Sequence, residues 1–304
     1  MLNDAQFFHI RTREDKFESR YFDFQRSHKY VVELDEQTKI ATAAYEHFLK
    51  GAPVDLAIDI ATMAGCPMGC AFCASSSIDF RRTLTAAEMM AQGHFFIDRI
   101  ATPSIEQITC SFQGSGEPTL VAEQVIAASK GMLAIDRRVV LSLSTIGANL
   151  CGLKALVQSG LEFHNIQLTL CGTTEEVVSS FMPKALHSDD LVKVAKKLTS
   201  HTNLRKVKAN YILLADFNDS EADLDYLVRA FRGSRIIVKI SCLNETRGSR
   251  ARCLKSGSKD VAITFKNKLV ANGIDSFVFG SFRDIQLSCG QLTELEGEWA
   301  QKIT

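Results

Sequence analysis

Three cysteines stand close together in the stretch GCPMGCAFCASSS. Cys66, Cys70 and Cys73 have the spacing CxxxCxxC and follow a short apolar run that is rich in β-forming residues. Three thiolates on one short loop suit three irons of a [4Fe–4S] cube and leave the fourth iron open. A zinc site would normally use four ligands, and no nearby His or Cys supplies the fourth. The plain alternative is that the three thiols are buried and behave as small hydrophobic side chains.

A second group of chemically capable residues lies in the stretch CSFQGSGEPT, residues 110–119. Its glycines allow the backbone to approach a ligand closely, and the Glu117 carboxylate can accept hydrogen bonds from an ammonium group. The alternative is an ordinary glycine-rich turn between a strand and a helix. The presence of the cysteine triplet in the same chain favours a binding site.

The elements that must position these residues alternate regularly along the chain. Apolar, β-rich runs occur at Val54–Ile60, Gln107–Phe112, Val139–Ser144, Asn165–Leu170, Val207–Leu214 and Arg235–Ile240. Stretches with helical periodicity occur at Ala86–Ile100, Ala122–Leu133, Asp189–Leu198, Asp223–Phe231 and Val261–Asn272. This alternation predicts an α/β fold with a parallel sheet and right-handed crossovers. A flat doubly wound sheet and a barrel both satisfy it, and the motifs favour a partial (β/α)6 TIM-like barrel with its chemistry at the carboxyl ends of the strands.

Three segments are predicted along the chain. Residues 1–52, rich in charge and aromatic side chains, form an N-terminal extension with a β-hairpin, Tyr30–Leu34 and Ile40–Tyr45. Residues 53–275 form the partial barrel, and residues 276–304 form a C-terminal segment with a loop that carries Cys289.

Composition excludes several classes of protein. Hydrophobic residues make up 46% and charged residues 23% of the 304 residues, so a disordered or fibrous chain is excluded. Lys+Arg and Asp+Glu both number 35, which leaves no basic footprint over the whole surface for nucleic acid. No apolar run approaches the length of a membrane span, and the first residues have no apolar signal region, so we expect a cytoplasmic protein with its nine cysteines reduced.

The cysteine triplet after the first barrel strand is identified as the signature of the radical S-adenosylmethionine (SAM) superfamily. The resemblance implies a [4Fe–4S] cluster held by Cys66, Cys70 and Cys73, with SAM on the open iron and an electron donor such as flavodoxin or ferredoxin. Phe72 resembles the aromatic residue that packs beside the adenine of the cofactor.

More specifically, GSGEPTL resembles the GMGEP motif of the RlmN/Cfr group of RNA methyltransferases. Three further segments resemble that group in order: LSTIG at 143–147, TLCGTTE at 169–175 and ISCLN at 240–244. The match implies the following contacts to SAM: Gly116, Glu117, Ser144, Thr169, Leu170, Cys171 and Asn244. Taken one at a time, each match is better explained as a polar cap at the end of a strand, whereas the order and spacing of the matches together favour binding.

The string CGQL at residues 289–292 resembles the end of the same family, where the cysteine becomes methylated. The resemblance implies that the Cys289 thiolate takes a methyl group from one SAM by displacement. A 5′-deoxyadenosyl radical from a second SAM then activates that methyl group, which adds to an sp² carbon. The alternative is a lone cysteine in a loop.

The sequence departs from the family at two places. The family's second catalytic cysteine, which breaks the covalent adduct, is replaced by Asp59. Because a buried aspartate is costly unless it is paired or used, we expect Asp59 to lie inside the barrel as a base or substrate anchor; pairing with an Arg or Lys is the alternative. Cys171 and Cys242 are other candidates for breaking the adduct.

The second departure is at the N-terminus. About fifty residues precede the barrel, too few for the family's helical RNA-gripping module together with the hairpin.

The leading hypothesis is therefore a radical SAM methyltransferase that methylates an sp² carbon, in an RNA adenine or in a small molecule. The missing module favours a substrate other than ribosomal RNA. A basic run at Arg247, Arg250, Arg252 and Lys255 is either a solvated surface or a site for phosphate. The alternative hypothesis keeps the cluster and SAM but assigns other radical chemistry, such as rearrangement, C–S bond formation or thiol-to-substrate coupling on a small molecule or peptide.

Overall fold

A computed structural model describes residues 2–16, 21–280 and 291 of the chain. Its strands are β1 (Phe7–Lys16), β2 (Phe24–Asp35), β3 (Thr38–Leu49), β4 (Ala52–Ile60), β5 (Met63–Ala64), β6 (Arg82–Thr83), β7 (Gln107–Phe112), β8 (Val139–Thr145), β9 (Phe163–Leu170), β10 (Val207–Leu213), β11 (Ile237–Cys242) and β12 (Ser276–Phe279). Its helices are α1 (Ala86–Ile100), α2 (Ala122–Ile135), α3 (Leu150–Gln158), α4 (Glu175–Phe181), α5 (Ser188–Leu198), α6 (Glu221–Phe231), α7 (Arg247–Ala251) and α8 (Lys259–Ala271).

One ten-stranded sheet organises the molecule, in the order β1-β2-β3-β4-β7-β8-β9-β10-β11-β12. Within this sheet the first four strands pair antiparallel, and β4 and β7 to β12 pair parallel; β5 and β6 form a separate antiparallel pair. All six predicted barrel strands are present within about two residues of their predicted ends, and consecutive strands are neighbours. The parallel α/β arrangement is thereby confirmed.

The predicted hairpin is confirmed as β2 and β3, but both strands are longer than predicted and a further strand, β1, covers β2. Because β3 pairs with β4, with Ala43 opposite Asp59, the N-terminal strands continue the parallel sheet. The short β12, at the start of the predicted C-terminal segment, pairs with β11. The predicted boundaries between the three segments stay a prediction.

Helices pack on one face of the sheet. The face is made of alternate residues of each strand, such as Leu56, Ile58 and Ile60 of β4, all fully buried in one large apolar core. The five predicted helices are all present, and α1 has its predicted limits because Thr85 and Glu88 form a reciprocal capping box at its start. None of the described helices has the length and apolarity that crossing a lipid bilayer would require.

The opposite face of the sheet is polar, and we call it the polar face. It carries the residues that alternate with the core positions, among them Asp59 of β4, Ser111 of β7, Ser142 of β8, Asn165 and Gln167 of β9, Asn210 of β10 and Ser241 of β11. These seven side chains are nevertheless at most 9% exposed. A buried layer of hydrogen-bonding groups on one side of a parallel sheet suits a ligand site better than a structural core.

Candidate active site

The loop after β4 carries the three cysteines. Cys70 is buried, and Cys66 and Cys73 are half-buried. Gly65 and Gly69 have φ of 73° and 75°, and a Cβ on Gly65 would stand 2.4 Å from the carbonyl oxygen of Asp79. The turn that brings Cys66 to the end of the strand therefore requires glycine.

Segments distant in sequence hold this loop in shape. The Ala71 N–H donates to the Phe181 carbonyl at 2.9 Å, and Lys184 Nζ donates to the Pro67 carbonyl at 2.6 Å. From the other side, Thr246 Oγ1 donates to the Phe72 carbonyl at 3.3 Å. The loop is thus fixed by the segments that follow β9 and β11.

The thiols fit a cluster better than a single ion. All three are free, and they interact with one another electrostatically. Burial raises the pKa of Cys66 to about 12 and also raises the pKa values of Cys70 and Cys73, so a bound cation is needed to stabilise the thiolates. Among residues 2–16, 21–280 and 291, no three His, Cys, Asp or Glu side chains converge as ligands of one ion. In a [4Fe–4S] cluster each cysteine binds its own iron, so the three sulfurs need not meet at one point.

Glu117 lies beside the cysteine loop in the turn after β7. Its carboxylate is 3% exposed and accepts from Thr119 Oγ1 at 2.6 Å, from Thr145 Oγ1, and from the Ile146 N–H at 3.1 Å. Burial, the largest influence, raises the pKa of Glu117, and these hydrogen bonds oppose it. The N–H of Gly116 interacts with the Cys66 sulfur, so this turn adjoins the predicted cluster site.

The other predicted SAM contacts surround the same end of the sheet at different depths. Cys171 is fully buried in an apolar cluster that includes Cys70 and Ile146, with Phe72 packed against it. Ser144, Thr169 and Asn244 are half-buried at or beyond the ends of β8, β9 and β11. Leu170 points into the core on the helix side, so a contact from it would use its backbone. Their predicted roles stay predictions.

Asp59 lies on the polar face near the carboxyl end of β4. It is 2% exposed and accepts from Gln113 Nε2 at 2.6 Å and from Tyr45 OH at 3.1 Å. Burial raises the pKa of Asp59 to about 6, while the two hydrogen bonds and the positive charge of Lys239 act in the opposite direction. Such a carboxyl group titrates close to neutral pH, which suits an acid–base role.

Sequence reasoning missed the hydrogen-bond chain that continues from Asp59, which we call the polar relay. Gln113 Oε1 accepts from Ser144 Oγ at 3.2 Å, Ser144 Oγ accepts from Gln167 Nε2 at 3.2 Å, and Gln167 Oε1 accepts from Lys239 Nζ at 3.3 Å. The relay crosses the sheet from β4 to β11. The alternation of polar and apolar residues along β7, β8 and β9 is the signal that could have revealed it.

Cys289, the predicted methyl carrier, lies outside the described residues. Gln291, two positions further in the same CGQL string, is described and fully buried. Its carbonyl accepts from Lys29 Nζ at 3.3 Å, and its side-chain Nε2 donates to the Glu245 carbonyl at 2.6 Å.

The remaining described thiols lie at different depths. Cys110 is fully buried in the core, and Cys151 and Cys253 are exposed. Cys242 is buried at the end of β11.

Known proteins that are similar to this chain in sequence include RNA methyltransferases. A "Probable dual-specificity RNA methyltransferase RlmN" from Pseudothermotoga lettingae is 27% identical over 282 residues, which cover 90% of this chain and 77% of that protein. The "Ribosomal RNA large subunit methyltransferase N" of Nitrosopumilus maritimus is 28% identical over 280 residues, covering 88% and 78%. No family model matches the chain.

Solved structures show the same fold. A radical SAM methyltransferase from Sphaerobacter thermophilus superposes with a TM-score of 0.73 at 23% identity, covering 94% of this chain and 81% of that one. Streptococcus suis SuiB bound to S-adenosylmethionine gives a TM-score of 0.54 at 15% identity, covering 74% and 50%.

The three-cysteine loop and the similarity to these methyltransferases support a radical SAM enzyme whose cofactors are a [4Fe–4S] cluster and SAM. Within that class, the chain is similar to the RlmN dual-specificity RNA methyltransferases, which confirms the resemblance found in the sequence.

Proposed function

We propose that this enzyme methylates an sp² carbon of an RNA base and that Cys289 carries the methyl group. The observation that carries the proposal is the meeting of the cysteine loop and the Gly116–Glu117 turn at one end of the sheet, in a chain similar to RNA methyltransferases over about nine-tenths of its length.

The cluster and SAM supply the methyl group and the radical that activates it. Cys66, Cys70 and Cys73 hold the cluster. The residues that orient SAM are Phe72, Gly116, Glu117, Ser144, Thr169, Leu170, Cys171 and Asn244. The buried Glu117 carboxylate, already fixed by donors from two segments, is suited to receive an ammonium group without reorganising.

We infer that the sheet curves into a partial barrel with the polar face inside. Gln291 bonds both to Lys29 of β2 and to Glu245 just after β11. Those strands are seven neighbour steps apart in the sheet, which would separate them by about 34 Å if it were flat. One glutamine spans far less, so this contact supports a strongly curved sheet.

Asp59 serves in this proposal as a base or as an anchor for the substrate. The surrounding hydrogen-bond donors fix its carboxylate, and its location on the polar face supports contact with a base held inside the barrel. The polar face has further capacity for a ligand, since Asn165 Oδ1 is buried and has no hydrogen-bond partner within the described part of the chain.

The test uses SAM labelled in its methyl group, anaerobically loaded enzyme and total RNA. We expect labelled methyl on Cys289 in the intact-protein and peptide masses, followed by labelled carbon-methylated nucleoside after RNA digestion. Cys289→Ala should abolish both signals, whereas Cys253→Ala, which removes an exposed thiol, should leave them unchanged. Absence of label from Cys289 in an enzyme that cleaves SAM would overturn the proposal.

A second candidate function is other radical chemistry on a small molecule or peptide. The observation in its favour is Asp59 itself, because a carboxylate cannot form the disulfide by which a second cysteine releases a thioether adduct. Under this alternative, deoxyadenosine forms in the presence of cell extract while labelled methyl never reaches the product.

A further inference from the structure

The polar relay has a single direction. Lys239 donates to Gln167, Gln167 to Ser144, Ser144 to Gln113, and Gln113 to Asp59. An ammonium group can only donate, so it requires the oxygen of the Gln167 amide to face it. An ionised carboxylate can only accept, so it requires the nitrogen of the Gln113 amide to face it. The two charged ends therefore fix the orientation of every polar group between them.

We propose that Lys239 is a positioning residue that acts on Asp59 through the polar relay, keeping the carboxylate ionised and fixed in direction. The inference deepens the proposed function, since it assigns a role to a group far from the cysteine loop. It also gives a reason for the buried Gln167 within β9 and for the half-buried Gln113 just beyond β7, because an uncompensated buried amide is costly.

The cation is itself held in place. Lys239 Nζ lies 3.8 Å from the centroid of the Phe279 ring, close enough for a cation–π interaction. Lys208 lies on the same face of the neighbouring strand β10, and its Nζ is 5.9 Å from the centroid of the Phe277 ring. The two Lys–Phe pairs are equivalent in chemistry, but the hydrogen-bond chain to Asp59 starts from Lys239. Lys208 therefore provides a matched control.

The groups that face Asp59 from the described residues come from neighbouring strands and from the turn after β7. Tyr45 of β3 donates to Oδ2, and Gln113, beyond the end of β7, donates to Oδ1. Lys29 of β2 lies in the same cross-strand row, with Ala43 between it and Asp59. Burial raises the pKa of Asp59 to about 6, and the charge of Lys239 lowers it. Removing that charge should therefore raise the pKa further and leave much of Asp59 protonated at neutral pH.

Infrared difference spectroscopy of the loaded enzyme against Asp59→Asn would follow the protonated Asp59 carboxyl group as a function of pH. We expect Lys239→Met to move the titration midpoint upward by about 0.5 to 1 pH unit, and Lys239→Arg to restore most of the shift. The acidic limb of the pH–rate profile should move by the same amount and in the same direction.

Gln113→Leu interrupts the relay at another point while Lys239 stays intact, and it should also raise the midpoint of the Asp59 titration. Two control variants, Lys208→Met and Gln107→Leu at the opposite end of β7, should leave this midpoint unchanged. A midpoint unaffected by Lys239→Met, or moved equally by Lys208→Met, would overturn the inference. Because the infrared signal needs no turnover, failure of the methyl-transfer proposal would appear separately, in the labelling experiment.

Discussion

At the scale of single residues, the most informative position is Asp59. A buried carboxylate in place of a thiol keeps the capacity to exchange a proton and gives up the capacity to form a disulfide. Both of its oxygens accept hydrogen bonds, which favour the charged form, while burial has the larger and opposite effect. In the proposed function, residue 59 can therefore take part in proton transfer but not in disulfide chemistry.

Burial of Asp59 should make folding stability depend on pH. A pKa of about 6 in the folded state, against 3.8 for an exposed group, means that ionising Asp59 costs folding free energy as pH rises from about 4 to about 6. Below about pH 4 ionisation of Asp59 costs no folding free energy, and above about pH 6 it costs the full amount, about 3 kcal/mol. Asp59→Asn should therefore stabilise the cluster-free protein at pH 7.5 relative to wild type, and the gain should vanish near pH 4.

Denaturant unfolding at the two pH values measures this difference. Asp55→Asn, on the same face of β4 and bonded to His47, is the matched control. A stability difference that stays constant between the two pH values would contradict the assignment of the cost to ionisation of Asp59.

At the scale of elements, the turns after the strands do most to shape the site. Gly116 has φ of 109°, and a Cβ there would lie 2.3 Å from Thr62 Oγ1 and 2.8 Å from Met63 Cγ. Gly160 has a similarly positive φ of 79° with nothing within 4 Å of its Cβ position. Comparing alanine substitutions at Gly116 and Gly160 therefore separates the cost of backbone strain, which both share, from the cost of a steric clash, which only Gly116 has.

We expect Gly116→Ala to lose more stability than Gly160→Ala, because strain of about 1–3 kcal/mol is common to both and the collision is added only at residue 116. Gly116→Ala should also weaken SAM binding, measured by equilibrium dialysis of the loaded enzyme, while Gly160→Ala should not. Equal losses at the two positions would show that the Gly116 turn tolerates a side chain.

The sequence predicted the regular elements well where their pattern was strong. The predicted limits of α1 and β7 match the structure, since α1 has a capping box and β7 a compact β-rich run. It missed β1, whose composition FFHIRTREDK is that of a solvated segment; the strand is stabilised by pairing with β2 and by stacking of Phe7 on Phe95. It missed α3 because a nine-residue helix containing Gly152 has weak intrinsic propensity and depends on its Asn149 cap.

At the scale of the whole molecule, the site joins residues far apart in the chain. The relay links positions 59 and 239, and its members are brought together only by the register of six strands, β4 and β7 to β11. No local pattern contains that register, so motifs could indicate the cysteine loop and the Gly116–Glu117 turn but not the relay. Hydrogen bonds between side chains on different strands become visible only when the strands are aligned.

The bond between Gln291 and the Glu245 carbonyl can be tested through the reactivity of Cys289, two residues earlier in the sequence. Gln291→Ala should remove the bond to the Glu245 carbonyl and retain the bond from Lys29 to its own carbonyl. We expect Cys289 to react several-fold faster with N-ethylmaleimide, measured by peptide mass spectrometry relative to the exposed Cys151 of the same molecule. Gln158→Ala, at the exposed end of α3, is the control. An unchanged ratio would mean that the Gln291–Glu245 bond does not restrain Cys289.

The bonds that shape the cysteine loop have a consequence for biogenesis. The backbone around Ala71 and Phe72 takes its form from Phe181, Thr246 and Arg252, which are synthesised more than 100 residues later. On the ribosome, the three thiols therefore emerge long before their supports. We therefore expect the loop to reach the form that suits a cluster only after residues up to 252 have been synthesised and folded.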